Sequence, residues 1–154
     1  MTGMTVEPKG QFLFAADTAN NQIASFSIQA GALTLLGSTS VSPATQPVAV
    51  AVNSTSTFLY TANQGSNNIS AFKLSSGTLT PVNGSPFASG NGGVVADQPV
   101  FLTIDATNAL VYVANTGSKT LGEFTINPAD GSLIPIPSSP AIVQAQPLWI
   151  ISTT

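Results

Sequence analysis

A hydrophobic segment that returns three times, turns rich in Gly and Asn after each return, and the absence of a helical period together predict an all-β fold class. Four short strands per repeat of about 50 residues match the antiparallel blade of a β-propeller. The expected architecture is three blades per chain, one unit over residues 1–154, with repeats near 8–53, 54–105 and 106–154.

Each element follows from the repeat. Phe12-Leu13-Phe14-Ala15-Ala16-Asp17 recurs as Phe58-Leu59-Tyr60-Thr61-Ala62-Asn63 and as Leu110-Val111-Tyr112-Val113-Ala114-Asn115. After an Asn/Gly/Ser turn, a second strand carries Phe26, Phe72 and Phe124 in register. Gly31, Gly77 and Gly131 then turn the chain into a third strand. Pro81 and Pro135 lack a ladder N–H there, which places that strand at the sheet edge. The fourth element follows Gln46-Pro47, Gln98-Pro99 and Gln146-Pro147 and is almost wholly apolar: Val48 to Val52, Val100 to Ile104, and Leu148 to Ile151. Such a run suits the innermost strand, buried on both faces. Met4-Thr5-Val6-Glu7 aligns with Val50-Ala51-Val52-Asn53 as the remnant of the first inner strand.

Composition excludes several kinds of chemistry. The chain has no Cys, His or Arg, three Lys and six acids, so that only 6% of its residues are charged. There is no thiol nucleophile, no Ser-His pair and no zinc site of the usual N/S type. A net charge of -3 supplies no basic stripe for phosphate backbones, so no nucleic-acid partner is expected. No apolar run is long enough for a membrane-spanning helix. A polar complement of Ser, Thr, Asn and Gln points to an extracytoplasmic or cell-surface location, and residues 1–10 lack the pattern of a signal peptide.

The run Phe58 to Phe72, followed by Ser76-Gly77-Thr78-Leu79-Thr80-Pro81-Val82 and Gly84-Ser85-Pro86-Phe87, resembles the repeat of the lactonase-type β-propellers. These are the 6-phosphogluconolactonase and carboxymuconate-cyclase-like proteins, related to the YVTN surface-layer repeats. The resemblance implies a propeller of seven blades with an active site at one end of its channel, built from His, Arg and carboxylates. Without His or Arg, none of those roles carries over to this sequence.

The repeat places Gln46, Gln98 and Gln146 just before the inner strands, where they ring the channel mouth; Asp97 lies beside them at the end of the long connection from Pro86. Gln donates and accepts hydrogen bonds but titrates no proton. This mouth therefore suits a neutral small molecule or carbohydrate, or else the amides satisfy backbone groups. Asp17, Asn63 and Asn115 read as turn caps. Only Asp17 keeps the acid there, so neither a metal site nor a cofactor is expected. Trp149 reads as a wedge between blades, with ring stacking on a sugar as the alternative.

Three blades leave two apolar faces uncovered. Two copies closing a six-bladed ring is the expected solution, with the strand at Leu148 to Ile151 of one copy beside Phe12 to Ala16 of the other. A fragment of a longer propeller is the alternative. The functional expectation is a non-catalytic binding or scaffold module that self-assembles. The alternative is a lactone hydrolase in which Glu123 or Asp97 activates water.

Overall fold

The structure, a computed structural model, describes residues 3–90 and 97–148. Every element in them is a β-strand, and all pairing is antiparallel. Blade 1 consists of β1 (Met4–Val6), β2 (Phe12–Asp17), β3 (Gln22–Gln29) and β4 (Ala32–Ser40) in that spatial order. Blade 2 runs β5 (Pro47–Val52), β6 (Phe58–Asn63), β7 (Asn68–Ser75) and β8 (Thr78–Pro81), with the two-residue β9 (Phe87–Ala88) also on β7. Blade 3 repeats this with β10 (Pro99–Ile104), β11 (Leu110–Asn115), β12 (Thr120–Ile126), β13 (Leu133–Pro135) and β14 (Ala141–Ile142) on β12. The apolar strands after Gln46-Pro47 and Gln98-Pro99 are thus the inner strands of blades 2 and 3, and Pro81 and Pro135 end edge strands.

Blades meet face to face, and each contact repeats the last. Phe12, Phe14, Ala16 and Ile23 of blade 1 pack on Val50, Val52, Leu59, Phe72, Leu74 and Leu79 of blade 2. Phe58, Tyr60, Ala62, Ile69 and Ala71 of blade 2 pack in turn on Leu102, Ile104, Val111, Phe124, Ile126 and Leu133 of blade 3. The glycine turns take part. Gly77, at φ +79, lies so close to Phe12 that a Cβ would stand 2.7 Å from its ring, and Gly131 presses on Phe58 in the same way. Both the backbone conformation and the lack of space demand glycine. Tyr60 adds a polar tie, its hydroxyl donating to the Gly131 carbonyl at 2.9 Å. Burial, with Asp130 nearby, holds this phenol well above its ordinary value of 10, so it stays a donor.

The outer face of blade 1 has no such cover. The blade 1 counterparts of the buried blade 2 set are Met4, Val6, Leu13, Phe26, Ile28 and Leu33; Met4 is 68% exposed, Val6 50% and Leu33 54%. A Cβ on Gly31, the counterpart of Gly77, meets nothing. Such a patch marks an interaction surface.

The inner edge of blade 1 differs from expectation. β1 pairs with β2, Met4 opposite Ala15 and Val6 opposite Leu13, and Gly3 extends the pairing as its carbonyl accepts the Ala16 N–H at 2.9 Å. The position beside Phe12 to Ala16 that the sequence reading assigned to a strand from a second copy is therefore occupied by the chain itself. Of the expected last inner strand, Leu148 is exposed and outside any strand, while Trp149 and residues 150–154 lie outside the described residues.

The same repeat position yields opposite outcomes for two phenylalanines. Phe72→Ala is expected to cost about 3–5 kcal/mol, since Phe72 is buried between blades. Phe26→Ala, on the uncovered face of blade 1, is expected to cost about 1 kcal/mol or less. Urea unfolding of both variants at low protein concentration measures the difference, and equal losses would show the blade 1 face to be covered.

Candidate functional site

The inner strands all begin at one rim, where the β2–β3, β6–β7 and β11–β12 turns also lie. Two of the three glutamines hold blades together there through their backbones. The Gln46 N–H donates to Asn21 Oδ1 at 2.7 Å, and the Gln98 N–H donates to Asn67 Oδ1 at 2.8 Å. The Gln46 carbonyl accepts the Gln64 N–H at 2.9 Å, while the Gln98 carbonyl accepts the Thr116 N–H at 3.2 Å and its hydroxyl at 3.0 Å. Gln46 and Gln98 adopt φ of 54° and 49°, and Asn21 and Asn67 adopt 54° and 55°. Asn tolerates that left-handed region and accepts locally, which explains its place in the turn. In blade 3 the turn residue is Lys119, also left-handed at φ 56°, which offers an ammonium where the other blades offer an amide oxygen. The Gln46, Gln98 and Gln146 side chains and Lys119 are all exposed. The rim is thus lined by neutral amides, with the Lys119 cation in blade 3 and the Asp17 carboxylate in blade 1.

Asp97 stands apart from this exposed set. It is 1% exposed, under Gly90 and beside Asn115, with Ser89 Oγ 3.4 Å from Oδ2. It belongs to the packing between blades 2 and 3 rather than to an open mouth.

The turn caps split in two. Asp17 caps as expected, accepting the Asn20 N–H at 3.2 Å, Asn20 Nδ2 at 2.8 Å and Gln22 Nε2 at 3.1 Å. Asn63 and Asn115 instead bridge the hairpin from within. Asn63 Nδ2 donates to Asn68 Oδ1 at 2.9 Å and Ser70 Oγ at 2.8 Å, and Asn115 Nδ2 donates to the Ser89 carbonyl at 2.9 Å and Thr120 Oγ1 at 3.3 Å. Both are fully buried, and a buried amide must find partners inside the protein.

The opposite rim carries a device that sequence reasoning missed. Glu7, Asn53 and Asp105 occupy one repeat position after the inner strand, and each accepts amides of the following hairpin. Glu7 takes the Lys9 N–H at 2.9 Å and the Gln11 N–H at 2.7 Å, and Asn53 Oδ1 takes those of Thr57 and Phe58, both at 2.9 Å. Asp105 Oδ1 takes those of Ala109 at 2.8 Å and Leu110 at 2.7 Å. The alignment of these three acceptors was the available signal. A groove lined by Glu7, Lys9, Phe12 and Ser56 opens at this rim, but the Glu7 carboxylate is already spent on the turn and on the Ser56 hydroxyl, which donates at 2.5 Å.

These bonds set the electrostatics. Burial raises the Glu7 carboxyl, but donors from Ser56, Gln11, Lys9 and Phe12 outweigh it and hold the group below its ordinary 4.5. Burial likewise raises Asp105, and donors from Thr107, Leu110 and Ala109 outweigh it, leaving the group below 3.8. The side-chain donors Asn20 and Gln22 lower Asp17, and the Ser132 amide and hydroxyl lower Asp130. Carboxylates lowered in this way make poor general bases near neutrality. No group of three His, Cys, Asp or Glu comes together among the described residues. Glu123, half-buried on β12 opposite Tyr112, lies three residues in from the rim end of its strand.

With this geometry in place, comparison with known proteins places the chain. The family model "Lactonase, 7-bladed beta-propeller" matches residues 2–96. The chain belongs to this lactonase family. Among curated proteins nothing matches it. Solved structures similar to it include a protein from Bacteroides uniformis assigned provisionally as a 6-phosphogluconolactonase, at 17% identity and TM-score 0.82 over 94% of this chain and 42% of that one. A Lactobacillus plantarum protein is similar at 24% identity and TM-score 0.81 over 93% and 42%. The periplasmic gluconolactonase of Pseudomonas aeruginosa is similar at 22% identity and TM-score 0.73 over 94% and 42%. The lactonase-family chain thus spans about two-fifths of the length of these structures.

Asp105 gives this site a pH signature. Its value in the folded lactonase-family chain lies below the unfolded one, so its stabilisation is complete above the unfolded value and is lost as pH falls through the depressed folded value. Asp105→Asn keeps the acceptor that Asn53 uses but not the charge. Urea unfolding is expected to show Asp105→Asn less stable at neutral pH, with the gap closing below 3.8. A gap independent of pH would show that the charge contributes nothing.

Proposed function

We propose that the chain serves the hydrolysis of sugar-type lactones, as one arc of a ring whose acid–base residues come from the blades that complete it. Family membership over residues 2–96 carries this reading. It favours the lactonase alternative over the non-catalytic scaffold expected from composition.

Lactone hydrolysis adds water to the acyl carbon. The ring C–O bond then breaks and the ring oxygen takes a proton, leaving a hydroxy acid. The step needs a base for the water, donors for the oxyanion and an acid for the leaving oxygen. The exposed amides of Gln46 and Gln98 fit the second role and can bind sugar hydroxyls, but they cannot take a proton. Lys119, on the same rim, suits the carboxylate of the product. Glu123 lies along a strand rather than at the rim, so the base is assigned to another part of the ring.

The uncovered face of Met4, Val6, Leu13, Phe26, Ile28 and Leu33 calls for another blade, and blades of a different sequence, carrying the acid and base this chain lacks, are the partner proposed to supply it. Light scattering of the chain alone is expected to give the single-chain mass; twice that mass would show that a second copy covers the face and would sink the assignment of acid and base to other blades. In the assembled species, glucono-δ-lactone hydrolysis above the spontaneous rate is expected. Gln46→Ala with Gln98→Ala should raise KM several-fold, and Glu123→Gln should leave kcat unchanged. Binding of the lactone without turnover would restore the scaffold reading, which the lack of His and Arg favours.

A further inference from the structure

Beneath the rim, between blades 2 and 3, two buried oxygens lack partners. Asp97 is 1% exposed and Asn115 fully buried, and Oδ1 of each has no hydrogen-bond partner. The other carboxyl oxygen of Asp97 fares little better. Ser89 Oγ stands 3.4 Å from it but 3.0 Å from the Asn67 carbonyl, and one hydroxyl proton cannot serve both. No ion pair to Asp97 occurs among the described residues. Gly90 closes over the place: a Cβ there would stand 3.0 Å from both Asp97 Oδ1 and Asn115 Nδ2.

The repeat shows that the scaffold does not require this acid. The offset relating Gln46 to Gln98 relates Thr45 to Asp97, and that relating Gln98 to Gln146 relates Asp97 to Ala145. Blade 2 also has oxygens without partners, Asn63 Oδ1 and Thr61 Oγ1, but they are neutral and call for no counter-charge. A buried carboxylate needs positive charge as well. Asn115 Nδ2 is spent on the Ser89 carbonyl and Thr120, and what remains around the carboxyl is oxygen: Asn115 Oδ1, the lone pairs of the Ser89 hydroxyl and the second lone pair of the Ser89 carbonyl. That is the chemistry of a hard cation.

We propose that Asp97 and Asn115, with the Ser89 oxygens, bind a hard divalent cation of the Ca²⁺ type below the rim between blades 2 and 3. The site is internal, so the cation ties Ser89 to Asp97 and blade 2 to blade 3 rather than meeting a substrate.

The test uses the whole chain, freed of metal with EDTA and dialysed. Equilibrium dialysis against Ca²⁺ is expected to leave one ion per chain, and thermal unfolding should rise by several degrees, saturably, with added Ca²⁺. Asp97→Thr, which installs the residue found at Thr45, should remove both effects. Asp105→Asn, at the opposite rim, should keep both. No ion bound to the wild-type chain would overturn the proposal whether or not Asp97→Thr folds. So would an equal rise with Ca²⁺ and with choline chloride of the same ionic strength, or a rise that survives in Asp97→Thr.

Discussion

A blade of this protein is a thin sheet with two apolar faces, and neither face can be buried by the sheet that carries it. Everything else in the fold answers that constraint. Phe12 and Phe58 sit in the same place on successive blades, and each receives a glycine turn from the next blade, Gly77 or Gly131. Leu59 and Val111 fill the space beside them. The low charge follows from the same cause. A residue sandwiched between blades has no solvent for an ion, so the polar positions go to Ser, Thr and Asn, which pair locally.

The rims carry the polar consequences of stacking. Where one blade ends and the next begins, the chain must cross without leaving amides unpaired, and the Asn21–Gln46 and Asn67–Gln98 bonds achieve this at one rim. At the other, Glu7, Asn53 and Asp105 hold the hairpins between the first two strands. With Asp17 and Asp130 capping their own turns, four of the six acids in the chain are consumed in structural roles. The likeness to lactone hydrolases therefore rests on the frame, while the proton chemistry of a hydrolase has to come from residues beyond this set.

Much of the architecture was legible because strand spacing is strict. The alternation that places Phe26, Phe72 and Phe124 on one face is written in the sequence, as is the edge position of Pro81 and Pro135. The Gln-Pro punctuation also marked the inner strands of blades 2 and 3, while the strand expected after Gln146-Pro147 lies largely outside the described residues. The site was less legible. Gln46 and Gln98 were found by position, but the role of their backbones depended on left-handed turns and on Asn partners 25 and 31 residues away, which no local pattern displays. Asn63 and Asn115 looked like Asp17 in sequence, yet burial turned them inward.

Repeat length, strand order and the residue types at each face were determined by the sequence by itself, since periodicity and turn chemistry act over a few residues. Tertiary structure alone decided which of those equivalent positions are covered. Leu13 and Leu59 are the same residue in the same strand, and only the presence of a preceding blade makes one buried and the other partly open. Asp97 was likewise one polar residue in a long loop until packing enclosed its carboxyl beneath Gly90, because burial is a property of what surrounds a group and not of the group.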